Sequence, residues 1–223
     1  MDAKPQHDLR DALLLFLAAS LMAVATVHLK SASPLIKANA SVIVAFGFLA
    51  LTVAAIRLRR ETAGSYGLDM RHAGSECLFV LILCAVIFPF YFIGFKIYWN
   101  PPSPFALRFA LPWWLFVLNH LLVVALPEEF LFRGFIQQRL GALMRGRFRI
   151  LGFPLGWHIP AAAALFALGH FVTDFNPNRL ATFFPALFFG ALKERRGSLI
   201  GCILFHAACN IFSDLIVWGF YPK

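Results

Sequence analysis

A chain of 223 residues with 60% hydrophobic side chains, 26 phenylalanines and only 14% charged residues is too apolar for a soluble globular domain. The formal net charge of +9 does not mark a nucleic-acid binder, because the lysines and arginines sit in short clusters between apolar runs, the distribution of polytopic membrane proteins. At about 20 residues per span there is room for about six to eight helices and none for a separate soluble domain, so residues 1–223 read as one integral membrane domain with an all-α fold of about seven transmembrane helices.

The polar start of the chain gives way to an apolar run from Ala12 to Val27, read as a retained first span rather than a cleaved signal, since later segments keep crossing the bilayer. A second helix runs from about Ala38 to Ile56 and stops at the basic Arg57, Arg59 and Arg60. Glu61 to Glu76, with Gly64, Gly67 and Gly74, is a loop or interfacial turn. Helix three covers Cys77 to Phe95 with a kink expected near Pro89, and Asn100 to Pro104 breaks the chain. Helix four begins near Pro112, beside the interfacial pair Trp113 and Trp114, and continues to about Leu143. Pro127 removes one backbone hydrogen bond there, which predicts a bend at the glutamates that follow. Met144 to Gly152, with Arg145, Arg147 and Arg149, reads as a loop. Helices five, six and seven are placed at about Trp157 to Val172, Arg179 to Leu192 and Leu199 to Phe220. The four cysteines, Cys77, Cys84, Cys202 and Cys209, lie in apolar segments without metal-site or redox spacing and read as small buried apolar residues.

The charges inside helix four carry the chemistry. Glu128, Glu129 and Arg133 interrupt a run that is otherwise apolar from Phe109 to Ile136 apart from Asn119 and His120. Ionisable groups at membrane depth cost about 2.5–3.5 kcal/mol each on insertion scales, so they mark function. Four residues apart, Glu129 and Arg133 share a helical face and pair, while Glu128 is turned about 100° away without a local cation and is left free to act. Two more candidates follow, His170 at the end of Phe166-Ala-Leu-Gly-His170, and His206 with Asn210 on one face of the last helix. At about 1.5 Å per residue, Glu128 and His170 lie about 18–20 Å from one membrane face and His206 about 10–12 Å, close enough for the side chains to meet. Helices four, five and seven are therefore expected to face one another around a polar cavity. A carboxylate base, a water and a pair of N–H donors on one face are what peptide hydrolysis needs.

The ordered set Glu128-Glu129-x-x-x-Arg133, Phe166-x-x-x-His170 and His206-x-x-x-Asn210 resembles the CPBP family of intramembrane glutamic endopeptidases, which includes the prenyl-protein CAAX proteases and bacterial tail-processing or bacteriocin-related members. The resemblance covers roughly residues 126–215, and the family-like core is placed at about 112–220. It implies that Glu128 and His170 activate a water, that His206 and Asn210 stabilise the oxyanion, that Glu129 and Arg133 support the site, and that no metal or other cofactor takes part. The substrate it implies is a membrane-tethered protein or peptide, cut near its C-terminus. Bland readings stand beside these. Glu129 and Arg133 suit a structural ion pair, Glu128 a second partner of Arg133, and each histidine a satisfied core residue. Asp214 continues the His206 stripe and suits the fixing of a histidine tautomer, and Asp174 reads as solvated. Glu128, Glu129, His170 and His206 also suit zinc chemically, though without a compact motif.

A noncatalytic membrane protein that sequesters a partner, as immunity-type relatives would, is the alternative to the enzyme. A proton-coupled transporter is a third reading, weakened by the lack of an internal repeat. Thirteen lysines and arginines fall on the N-terminal side of a seven-helix topology and six on the other, which places the N-terminus in the cytoplasm. The compact chain resembles bacterial members, so the expected location is a bacterial inner membrane.

Overall fold

The computed structural model describes residues 5–107, 112–144, 146–150 and 153–221. Lys4, Arg108, Arg145 and Lys223 of the charge count, and Phe109 at the start of the apolar run, lie outside the described residues. Among the described residues seven helices form: α1 (Pro5–Leu29), α2 (Pro34–Leu58), α3 (Ala73–Trp99), α4 (Trp113–Leu143), α5 (His158–Asp174), α6 (Phe183–Arg196) and α7 (Ile200–Phe220). The protein is an all-α membrane helical bundle. Five of the helices, α1 to α4 and α7, are long and apolar enough to cross a bilayer, whereas α5 has 17 residues and α6 has 14.

Local chemistry fixes the ends. Ser33 accepts a hydrogen bond from Ile36 N at 3.4 Å and Pro34 opens the first turn of α2, a side-chain cap followed by a residue whose missing N–H costs nothing there. Asn100 and Gly197 close α3 and α6 in the left-handed region. The helix of α3 continues through Pro89. α1 starts earlier than its apolar run suggests because Asp8 and Asp11 find cationic partners: Arg59 binds Asp8 at 2.9 Å and Asp11 at 2.5 Å, and Arg139 binds Asp8 at 3.2 Å.

The loop between α2 and α3 contains two short 3-10 turns, Ala63–Tyr66 and Met70–His72. Tyr66 within it is fully buried, stacked on Phe135 of α4 with centroids 5.5 Å apart, and hydrogen-bonded to Glu61 and Arg139. The Met144 to Gly152 loop expectation is corrected in part. Arg147–Ile150 (β1) and Phe153–Gly156 (β2) pair as an antiparallel hairpin. Its first strand alternates Arg147, Phe148, Arg149, Ile150, the period of a strand, and Phe148 packs on Trp157 at 4.8 Å.

Contacts at the helix ends show successive helices running in alternate directions. The starts of α1, α3 and α5 and the ends of α2, α4 and α6 meet on one face, where Arg196 binds Glu76 at 2.8 Å and His158 meets Glu194 at 3.2 Å. On the opposite face Ala106 N donates to Gly219 O near the end of α7. α4 is the axle. Every residue from Phe130 to Ile136 is buried, in a core shared with Ala12, Phe16 and Ala19 of α1 and Ala162, Ala163 and Phe166 of α5. A smaller cluster, Val80, Phe189 and Phe205, joins α3, α6 and α7. Gly190 lets α6 approach α4 so closely that its carbonyl accepts from Gln137 Nε2 at 3.0 Å, and a Cβ there would stand 2.8 Å from Gln137 Oε1. The outer side of α3 leaves Leu78, Leu81, Ile82, Val86, Phe90 and Ile93 exposed, the apolar surface of a helix solvated by lipid.

Candidate active site

α4 is not a uniform α-helix. It passes through two π-helical stretches, Asn119–Ala125 and Phe130–Ile136, with the four residues Leu126–Glu129 between them. Pro127 has no N–H to give to the ladder, and wider turns on either side accommodate the missing bond, so the irregularity that Pro127 predicts takes the form of π turns flanking the glutamates. Such turns concentrate at functional sites.

Glu129 is entirely buried and stands between two cationic or donor groups. Arg133 Nη1 lies 3.2 Å from Glu129 Oε1, the i,i+4 pairing read from the sequence. His206 Nδ1, from α7, meets the same oxygen at 2.7 Å. A carboxylate only accepts, so His206 carries its proton on Nδ1 and turns Nε2 the other way. That nitrogen is 3.9 Å from Glu128 Oε2. The ring of His206 stacks on Phe189 of α6 at 5.1 Å. Arg133, 2% exposed, finds no protein hydrogen-bond partner for Nη1 or Nη2 among the described residues. Its guanidinium lies over the Phe166 ring at 4.3 Å and the Phe189 ring at 5.4 Å, so two aromatic faces and one ion pair hold the charge.

Glu128, one residue away, has its side chain 20% exposed. With His170, His206 and Asn210 it lines a cavity of about 580 Å³ between α3, α4, α5, α6 and α7. The structure thus brings the four sequence-derived candidates to one cavity, and Phe88, Phe188, Phe189, Phe205 and Phe212 make most of the rest of its lining apolar. His170 Nδ1 sits 3.1 Å from Phe166 O. A carbonyl accepts only, so the proton is on Nδ1 and Nε2 is left as an acceptor. Phe166 therefore has two tasks that the motif spacing alone did not reveal, a ring face for Arg133 and a carbonyl that fixes the His170 tautomer.

Asp214 takes a histidine other than His206. Its Oδ2 is 3.2 Å from Nε2 of His120 on α4, a residue the sequence marked only as a polar interruption. Asp174 is exposed and pairs with Arg179 at 2.7 Å. The signal that finds Arg179 and Thr182 on the cavity wall is absent from the motifs, because they arrive through the 3-10 turn Pro177–Thr182 before α6.

Comparison with known proteins gives one match. Residues 109–212 fit the family model described as type II CAAX prenyl endopeptidase Rce1-like, which takes in α4 to most of α7 and leaves α1 to α3 outside. No curated protein and no solved structure matches the chain.

Proposed function

We propose that this chain, whose residues 109–212 fit the family model described as type II CAAX prenyl endopeptidase Rce1-like, is an intramembrane protease that hydrolyses a peptide bond near the C-terminus of a membrane-tethered protein by a metal-independent glutamate mechanism. Glu128 takes a proton from a water whose second hydrogen is held by His170 Nε2. The water oxygen attacks the scissile carbonyl carbon, and the resulting oxyanion is met by Asn210 and by Nε2 of His206 when the ring carries both protons. The C–N bond then breaks as Glu128 passes its proton to the leaving nitrogen. Glu129 acts through His206, orienting the ring by accepting from Nδ1–H on its far side, and Arg133 balances the Glu129 charge.

The observation that carries this reading is the division of labour between adjacent glutamates. Glu129 is buried against Arg133 and His206, while Glu128 reaches the cavity beside His170 and Asn210. A purely structural ion pair has no use for the second carboxylate. The test is cleavage of a reconstituted tail substrate by purified wild type and Glu128→Gln, each with and without chelator. Cleavage by the wild type that survives chelation and disappears in the variant is the expected result. Equal activity of the two proteins refutes the glutamate base, and activity lost to chelator and restored by zinc refutes metal independence.

A further inference from the structure

Glu128 and His170 line two cavities. Besides the large one, they face a space of about 130 Å³ on the other side of α4 and α5, walled by α1 and α2 through Ala19, Ser20, Ala23, Val44 and Phe48. Both spaces are walled mainly by apolar groups, and the large one also holds Arg179, Thr182, His206, Asn210 and Ser213. The polar residues of the small one are Ser20, Glu128, His170 and Thr173. Thr173 Oγ1 donates to His170 O at 2.8 Å, which leaves its lone pairs as acceptors.

Its size is kept by small residues. Ala19 and Ala23 are buried on α1, and Gly169 presents no side chain where a Cβ would touch Phe16 and Phe132 at 3.6 and 3.7 Å. Water occupies about 30 Å³ per molecule in the liquid and is held in a protein by two to four polar partners. The space therefore suits about four waters, with the polar groups to hold them.

Hydrolysis consumes one water per turnover, inside a bundle surrounded by hydrocarbon. A substrate lying in the phenylalanine-lined cavity obstructs resupply from that side. We propose that the small cavity between α1, α2, α4 and α5 is the water store of the site, Ser20 and Thr173 holding the water that Glu128 and His170 draw on. The inference rests on the role proposed for Glu128 and His170, and it gives α1 and α2, which lie outside the matched residues 109–212, a part in the reaction.

Ala23→Leu fills the space from α1, and Val44→Phe fills it independently from α2 should the first variant fail to fold. Leu21→Phe, on α1 but 69% exposed and facing away, is the control. Hydroxyl radicals generated by brief X-ray exposure of the intact protein in ¹⁸O-water should label Phe48 and Phe132 in wild type and in Leu21→Phe, and lose that label in the filled variants. Turnover of the filled variants should fall about tenfold or more with KM unchanged, since chemistry and not substrate binding is starved. Wild-type turnover in a filled variant, with Glu128→Gln inactive, overturns the water store and leaves the glutamate base standing. Activity in Glu128→Gln overturns the base, while the labelling still reads the water directly: no label on Phe48 or Phe132 in wild type overturns the store. A filled variant that keeps its turnover but changes the side chain accepted beside the cleaved bond makes the space a specificity pocket, which also overturns the proposal.

Discussion

Glu128 and Glu129 are covalent neighbours in opposite surroundings, and their amide variants should separate. Glu128→Gln should lower cleavage by the roughly 10²–10⁴-fold of a lost general base while leaving the thermal unfolding profile near that of wild type, because a neutral amide is cheaper to bury than a carboxylate. Glu129→Gln strands Arg133 among Phe166 and Phe189 and frees His206 Nδ1. Breaking a buried pair costs about 3–5 kcal/mol, so that variant should unfold earlier as well as lose activity; a wild-type unfolding profile would rule out the buried ion pair as a stabilising element. Asn210→Ala should lower kcat by about 10²–10³-fold with little change in KM, as removal of a transition-state donor does, and steady-state kinetics at several substrate concentrations decides it. The Glu129–Arg133 pair is legible in the spacing because it closes within one helix turn. The His206 contact to the same oxygen is not, since it depends on how α7 lies against α4.

At the scale of elements, the ends of α1, α2 and α4 are tied by groups that the charge pattern presented only as topology markers. Arg139 is buried, bonded to Asp8 and to Glu61, and Arg59 reaches Asp8, Asp11 and Glu61. Burial opposes ionisation of Glu61, but the Tyr66 hydroxyl, Arg139 and Arg59 outweigh it and hold the carboxyl below its ordinary value of 4.5. Burial and the Glu61 carboxylate together push Tyr66 up to about 12. A depressed carboxyl contributes stability that is present above its unfolded value and is lost as pH falls through the folded one. Unfolding temperature should therefore drop as pH is lowered below about 4.5, and Glu61→Gln should flatten that part of the profile. An unchanged acid profile in the variant would remove Glu61 from the account. The hydrophobic run of α1 was visible from composition, but its first two turns were not, because Asp8 and Asp11 interrupt the apolar pattern and their partners Arg59 and Arg139 lie far along the chain.

For the whole molecule, the alternating directions of seven helices fit the positive-charge count, and the orientation with a cytoplasmic N-terminus follows from it as a prediction. α5 and α6 are short for the task. At about 1.5 Å per residue they are about 25 and 21 Å long against a hydrocarbon thickness of about 30 Å, so a full crossing by either requires the bilayer to thin locally. Reporter fusions at Gly64, Arg147 and Arg195 should report the cytoplasmic side and fusions at Ser31 and Asn176 the other; Asn176 on the same side as Arg195 would make α5 and α6 a re-entrant pair. The sequence by itself determined the membrane class and the order of the helices and singled out Glu128, His170, His206 and Asn210 as candidates, because hydropathy over a helix length and ionisable groups inside it are properties of composition and local spacing. Only the tertiary structure decided that His206 turns Nδ1 to Glu129 and Nε2 to Glu128, that Phe166 and Phe189 shelter Arg133, and that Glu128 and His170 divide two cavities. Each of those depends on which faces of separate helices meet. In lipid that choice is made by packing between side chains far apart in the chain, which no periodicity along one helix records.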